Sequence, residues 1–408
     1  MDSIKAVKCL VPFTQLSVNV NGYCYSCASS WTTLGNSGRL KGKSIMDIWN
    51  GERMQYIRKA ILENKLDKVC NFKYCPYAIE NKDINVEWGW GDDHYKAIIE
   101  QIHKGKTKLE TAPYELIVAG SGQCNLRCVM CRSHDGFIPD QDKFDEHLYS
   151  KLLPEILPLV SRILLTGNGD PIFNKHSRNF LQNLDAEKYP SLKIKLQTNA
   201  NLLTPHIWDT IKHNNYESIH VSIDAATKET YEKVRKNGKW DLLMKNLKLI
   251  SELRHQGVFS KFSISFVILK SNYKEIKSFA ELGKELGCDM ILFQKDYTVV
   301  NIIENINLTN HKRIKIEIAQ ILKDPIFSEP QVNTLLIDEY RQYSSLKSNI
   351  IDRTFTKLKG AILQYPILSM FSLIKQFPFL IDASEYYKIK IGPLLNQNKP
   401  YKKDMIIK

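Results

Sequence analysis

From Tyr114 to Gln294 the chain alternates short β-branched runs with longer amphipathic segments, and no other feature restricts its fold as strongly. The runs are YELIVAG (114–120), RILLTG (162–167), LKIKLQT (192–198), SIHVSID (218–224), FSISFVI (262–268) and DMILFQ (289–294). Between them stand segments such as PHIWDTIKHNN, KETYEKVRKNG and YKEIKSFAELGKELG, the last two ending on a glycine suited to a helix C-cap. Strand–helix repetition of this kind implies parallel pairing through right-handed crossovers. A six-unit (β/α)6 partial barrel over 113–296 is therefore predicted in preference to a sandwich or a bundle. In such parallel folds ligands sit at the C-terminal ends of the strands.

The cysteines divide the rest of the chain. Cys9, Cys24, Cys27, Cys70 and Cys75 occupy the first 75 residues, Cys124, Cys128 and Cys131 lie within eight, and Cys288 stands alone. This grouping marks a small Cys-rich domain over 1–80, a connector over 81–112, and a mainly helical C-terminal region over 297–408. With 408 residues and 43% hydrophobic content the chain is long and apolar enough for ordinary cores, which excludes a disordered tail or a disulfide miniprotein. MDSIKAVKCLVPF lacks the basic start and apolar run of a secretory signal, so a cytoplasmic, reducing location is expected. There cysteines serve metals or clusters rather than disulfides. The apolar stretch 360–381 is interrupted by Gln364, Pro366, Lys375 and Pro378, and reads as a buried helix or docking surface, with no transmembrane segment. A net charge of +13 favours acidic partners, but the lysines are scattered and form no compact basic and aromatic motif, which makes nucleic acid an unlikely one.

SGQCNLRCVMCRS follows the first strand directly, and its Cys124-x3-Cys128-x2-Cys131 spacing brings three thiolates into one loop. A four-iron cubane in an electron-transfer site takes four cysteines. With only three at hand, one iron is left open to a ligand that is not protein, as the open position of catalytic zinc is. A zinc site remains the alternative, with His134 as the nearest further ligand. The spacing and its place after the first strand resemble the radical S-adenosylmethionine (SAM) superfamily, although Met130 stands where an aromatic residue is common. Three later stretches match in order. RILLTGNGDPIFN resembles the family's glycine-rich motif, with Gly167, Gly169, Asp170 and Pro171; LQTNANLL offers Thr198 and Asn199; and HVSIDAATKETYEKVRKNG offers Ser222, Asp224 and Arg235. The resemblance implies that these residues bind SAM beside a [4Fe–4S] cluster held by the three cysteines. Taken alone, GNGDP is ordinary turn chemistry, Asp224 an equally good helix N-cap, and Cys288 a small buried hydrophobe.

At the N-terminus, Cys9-x14-Cys24-x2-Cys27 and Cys70-x4-Cys75 flank a turn-rich and then helical stretch. A domain this small needs a staple, and four thiolates suit zinc or an iron–sulfur cluster alike. The order of the cysteines, the Asn-Gly turn, Leu-Gly-Asn, Asp-Ile-Trp-Asn and the following arginine resembles the auxiliary-cluster domains called SPASM or twitch, here placed before the barrel. One auxiliary [4Fe–4S] cluster is implied. Cys9, Cys70 and Cys75 fill three of its positions, and Cys24 is preferred to Cys27 for the fourth because it directly follows the turn and strand.

The same resemblance implies the chemistry. One electron, delivered by a carrier such as flavodoxin or ferredoxin, cleaves SAM into methionine and a 5′-deoxyadenosyl radical, which abstracts hydrogen from a substrate C–H bond. The substrate is expected to be a peptide or protein undergoing maturation, or a small molecule such as a sugar or alcohol undergoing dehydrogenation or epimerisation. A non-catalytic iron–sulfur or zinc scaffold is the contrasting reading. Arg132 and His134 are candidates for lining the pocket, and the 300–408 region for a docking surface.

Overall fold

The computed structural model describes residues 6–345 other than 29–31, 73–74, 76–77, 79–83, 85–90, 120–121, 132–139, 168, 297–300, 302, 308–310 and 335–336. Arg132, His134, the apolar stretch 360–381 and the C-terminal region beyond 345 lie outside the described residues. A hairpin of β1 (Gln15–Val18) and β2 (Tyr23–Tyr25) comes first, closed by Asn21 and Gly22 at φ +57° and +72°. Asn-Gly is the dipeptide that tolerates two left-handed residues in succession, which is why the chain turns there. β3 (Gly38–Arg39) adds antiparallel to β2.

The six predicted strands all form. They are β4 (Glu115–Val118), β6 (Arg162–Leu165), β7 (Lys193–Thr198), β8 (Tyr216–Ser222), β10 (Lys261–Ile268) and β11 (Met290–Lys295). They pair in parallel in the order β4-β6-β7-β8-β10-β11. The hairpin was not expected to join them, yet β1 runs parallel to β4, with Gln15 opposite Glu115 and Val18 opposite Val118. With β12 (Val332–Asn333) on the far edge, the described residues form one ten-stranded sheet. Two short strands, β5 (Arg127–Cys128) and β9 (Arg235–Lys236), pair separately.

Alternation along the strands sorts the core from the functional face. On β8, Ile219 and Val221 are fully buried while Ser218, His220 and Ser222 face the other way. Phe266, Phe279, Phe293 and Phe327 fill the far end of the sheet with tilted and edge contacts 4.9–5.8 Å between centroids.

In the N-terminal part, α1 (Val11–Thr14) leads into β1, and α2 (Ile45–Trp49) opens with a capping box between Ser44 and Asp47. α3 (Glu52–Leu62) follows. The Trp-Asn pair bolts α2 to the segment before β4. Trp49 Nε1 donates to the Thr111 carbonyl at 2.8 Å, and Asn50 exchanges 2.8 Å bonds with the backbone of Leu109. The stretch read as a connector also contributes to the core, because its helix Asp93–His103 buries Ile98, Ile99 and Ile102. No helix among the described residues is long and apolar enough to cross a membrane.

Leu16 is fully buried on β1, where the N-terminal part meets the parallel sheet. Leu16→Ala should therefore destabilise the whole unit by about 2–5 kcal/mol, read as a lower urea midpoint of the metal-free protein. A loss under about 1 kcal/mol would show that the β1–β4 seam is not part of the folding core.

Candidate active site and auxiliary cysteine site

The triad loop leaves β4, and β5 turns it back against β9. That pairing sets Cys128 opposite Arg235, with Val129 N–H donating to Val234 O at 2.9 Å. Leu126, Met130, Val234 and Leu269 pack with Cys128 into a small apolar cluster, which Cys124 and Cys131 flank. An apolar side chain at 130 thus serves here in place of an aromatic one. The three thiols open on a cavity of about 200 Å3 at the C-terminal ends of the strands.

Of the residues predicted from the sequence, Gly167, Gly169, Asp170, Thr198, Asn199, Ser222, Asp224 and Arg235 line this cavity. Pro171 does not; its carbonyl instead accepts a 2.5 Å bond from Ser177 Oγ at the start of the next helix. Thr166, Gln197 and Val267 also line the cavity, at or just beyond the ends of β6, β7 and β10, and the motifs did not single them out. A Cβ at Gly167 would stand 3.2 Å from Gly169 N and 3.5 Å from the Ala119 carbonyl carbon, so a side chain there would press on backbone.

Asp170 holds the cavity wall together. One carboxylate oxygen accepts from Ile172 N–H (2.9 Å) and Phe173 N–H (3.3 Å), and the other from Thr198 Oγ1 and Asn199 N–H, both at 2.8 Å. These bonds fix the ends of β6 and β7 to one another. They also aim Asn199, whose Nδ2 reaches Asn125 Oδ1 at 2.9 Å and Cys124 Sγ at 3.6 Å.

Asp224 is not a helix cap, since Thr227 caps the helix Lys228–Val234. It adopts φ +62°, accepts Val267 N–H at 2.7 Å, and pairs with Arg235 Nη2 at 2.5 Å. Arg235 Nη1 in turn donates to Cys128 Sγ at 3.6 Å. Burial opposes the charge on Arg235, but the Asp224 carboxylate, with smaller contributions from Cys128 and Tyr231, more than offsets it and holds the guanidinium protonated. Two of the three sulfurs therefore receive a side-chain N–H. Burial pushes the Cys124 thiol up to about 12, so a bound metal has to displace its proton.

Beneath the cavity, His220 Nδ1 lies 2.8 Å from Ser263 Oγ and Nε2 2.9 Å from Ser265 Oγ, which bonds Ser222 at 3.4 Å.

The N-terminal cysteines divide. Cys9, Cys27, Cys70 and Cys75 line one pocket with Val11, Pro12, Ser26, Thr32, Ile57, Ile61 and Val69. Cys24 is not among its lining residues: it is fully buried within β2, between Val18 and Gly38, with its sulfur 3.7 Å from Gly22 O. Cys27 lies beyond the end of that strand, where the chain has returned to the level at which β1 begins. Burial pushes Cys9 and Cys70 up to about 12 and Cys27 to about 11, each raised further by neighbouring cysteines of the set, whereas burial alone raises Cys24. Because β1 and β4 are parallel, the four-thiol pocket lies toward the strands' N-terminal ends and the triad beyond their C-terminal ends. Cys288 is buried after the helix Ile276–Glu285 and lines neither pocket.

An open α/β sheet with three thiols and a glycine-walled cavity at its C-terminal edge defines a cluster-dependent class of protein. Sequence comparison specifies it. The radical SAM superfamily model matches residues 118–283, and SPASM, an iron–sulfur cluster-binding domain, matches residues 9–76. The chain carries a radical SAM superfamily domain, with a SPASM domain on its N-terminal side. Its cofactors are a [4Fe–4S] cluster with SAM, and an iron–sulfur cluster in the SPASM domain. Both donor sets fit, as three thiols open on a cavity and four line a second pocket.

Mycofactocin maturase MftC of Mycobacterium tuberculosis is 25% identical over 193 residues, 47% of this chain and 46% of the relative. GTP 3′,8-cyclase of Synechocystis is 30% identical over 174 residues, 42% of this chain and 50% of the relative. The chain thus spans about half the length of the curated relatives it matches. Among solved structures, Streptococcus suis SuiB bound to S-adenosylmethionine aligns with a TM-score of 0.42 at 18% identity, over 69% of this chain and 61% of that one.

Burial lowers the His220 pKa from 6.5 to about 4, aided by Arg235. Below pH 6.5 the unfolded chain takes up a proton that the folded chain refuses until about pH 4, so stability falls as pH drops through that window. Between pH 7 and pH 5 the metal-free protein should lose about 2 kcal/mol from this group. His220→Asn should remove that part of the slope in urea titrations, and an unchanged slope would contradict the buried neutral imidazole.

Proposed function

We propose that the chain is a radical SAM enzyme that modifies a peptide or protein by abstracting hydrogen from a C–H bond, with its six-unit sheet curved as a partial barrel around the substrate. The observation that carries this reading is the three-thiol cavity. Cys124, Cys128 and Cys131 meet Gly167, Gly169, Asn199, Ser222 and Arg235 there, and no fourth cysteine is among its lining residues. When bound, the cluster and SAM supply a 5′-deoxyadenosyl radical after one-electron reduction.

The protein's own residues orient and shield. Gly167 and Gly169 let backbone approach the amino-acid end of SAM, and Ser222 and Asn199 offer hydrogen bonds across the cavity. Arg235, anchored by Asp224, keeps a cation beside the Cys128 sulfur. Asp170, with its oxygens accepting from Thr198, Asn199, Ile172 and Phe173, braces the wall rather than meeting the cofactor. Met130 and Val267 exclude water from the thiol side.

Cys9, Cys27, Cys70 and Cys75 are the proposed ligands of the auxiliary cluster, with Cys24 a core residue of β2. The net charge of +13 suits an acidic one-electron carrier of the flavodoxin or ferredoxin kind. The likeness to a protein named as a maturase supports modification of a peptide or protein. The likeness to a GTP cyclase favours a small-molecule substrate as the second reading.

Anaerobically reconstituted protein should hold about eight irons per chain, falling to about four in the Cys124→Ala, Cys128→Ala, Cys131→Ala variant. Formation of 5′-deoxyadenosine from SAM under dithionite should vanish with them. An intact cluster that never cleaves SAM would point to the scaffold reading.

Cys27→Ala should lose the auxiliary cluster's iron, while Cys24→Ala keeps it with only a stability penalty. The reverse pattern would return Cys24 to the ligand set.

A further inference from the structure

Arg58 lies on α3, whose Ile57 and Ile61 line the four-thiol pocket, and it is itself fully buried. Buried arginines are ordinarily paired with a carboxylate, because an uncompensated charge in the interior is strongly unfavourable. None pairs with Arg58 among the described residues. Its Nε donates to Pro12 O at 2.9 Å, its Nη1 to Thr107 O at 2.8 Å and more weakly to Asn50 Oδ1 at 3.4 Å, and its guanidinium carbon lies 4.1 Å from the centre of the Trp49 ring. Nη2 has no hydrogen-bond partner among the described residues. Carbonyls and an aromatic face stabilise a cation, but none of them carries a negative charge. Burial pulls the Arg58 pKa down to about 9, which still leaves the group protonated at neutral pH.

The missing negative charge has one source next door. Pro12, whose carbonyl takes the Arg58 Nε–H, lines the thiol pocket, and the N–H of the preceding Val11 faces the Cys9 sulfur. A cluster held by four thiolates is a net anion, whereas four neutral thiols are not. Among the described residues, the charge of Arg58 is therefore uncompensated in the metal-free chain, and it is compensated when the pocket is loaded. We propose that Arg58 is the built-in counter-charge of the auxiliary cluster and, through the Pro12 carbonyl, the brace of the turn that carries Cys9. This rests on the reading of Cys9, Cys27, Cys70 and Cys75 as that cluster's ligands. Arg58 is a positioning residue. It shifts the cluster's equilibrium with its electron without touching substrate, since a fixed positive charge favours the reduced, more negative state.

The test uses the full chain in the Cys124→Ala, Cys128→Ala, Cys131→Ala background, so that any remaining cluster is the auxiliary one, and follows its reduction by EPR-monitored redox titration. Arg58→Gln keeps an N–H donor and removes the charge, and Arg58→Lys keeps the charge. The Gln variant should lower the equilibrium constant for reduction about tenfold or more, a midpoint shift of about 59 mV for a one-electron couple. The Lys variant should move less than a third as far. A Gln midpoint equal to that of its parent overturns the proposal, as does an equal shift in both variants. Should Arg58→Gln load too little iron for a titration, iron loss to EDTA is read instead. Retention in Lys with loss in Gln supports the counter-charge, and equal loss in both overturns it. A parent triad variant that binds no iron would defeat the ligand assignment itself, and the proposal with it.

Discussion

The pairing of β1 with β4 is the constraint on which the rest of the molecule depends. Four residues, Gln15–Val18, lie parallel to Glu115–Val118, and through that seam the N-terminal hairpin becomes part of the same sheet as the six parallel strands. Strand polarity then does the placing. The chain enters β1 from Cys9 and α1, and it leaves β4 for Cys124. At about 3.3 Å per residue, the four paired residues alone put roughly 13 Å of strand between the two thiol sites. The seam is itself reinforced by polar side chains, with Lys195 Nζ on Glu115 at 2.6 Å and Gln15 Nε2 at 3.4 Å from the same carboxylate.

The two sites answer the same electrostatic problem differently. At the triad, Arg235 is matched by Asp224, so the pair is close to neutral and what reaches Cys128 is a directed N–H. Asn199 does the same for Cys124 without a charge. At the four-thiol pocket no acid among the described residues pairs with Arg58, which is held by carbonyls and the Trp49 ring. The first arrangement keeps a site whose charge changes as ligands come and go from depending on one unpaired group. The second would suit a centre held, as proposed, by the four thiols, whose charge is permanent once loaded.

Much of this was legible in the sequence where local pattern decides it. The six β-branched runs became six parallel strands because β-branched residues fit a buried pleated sheet, and the motifs after them fell at the strand ends where parallel sheets bind ligands. Other features depended on contacts the sequence does not advertise. Nothing in QLSV announces a partner 100 residues away. Cys24 and Cys27 differ only in that one lies inside a three-residue strand and the other just past it, a boundary that local reasoning cannot place so finely. Asp224 reads as a helix cap until its left-handed backbone turns it onto Arg235. Thr166, Gln197 and Val267 carry no motif, and only their positions at the strand ends mark them.

The central claim is that one cluster is open to SAM and the other is fully held by protein. Adding SAM to the reduced holoprotein while recording its EPR spectrum tests this most directly. The account predicts that one cluster signal, the one missing from the triad variant, changes its g-values on SAM addition while the other stays fixed. A spectrum in which neither signal moves, or in which the auxiliary signal moves in the triad variant, would contradict it.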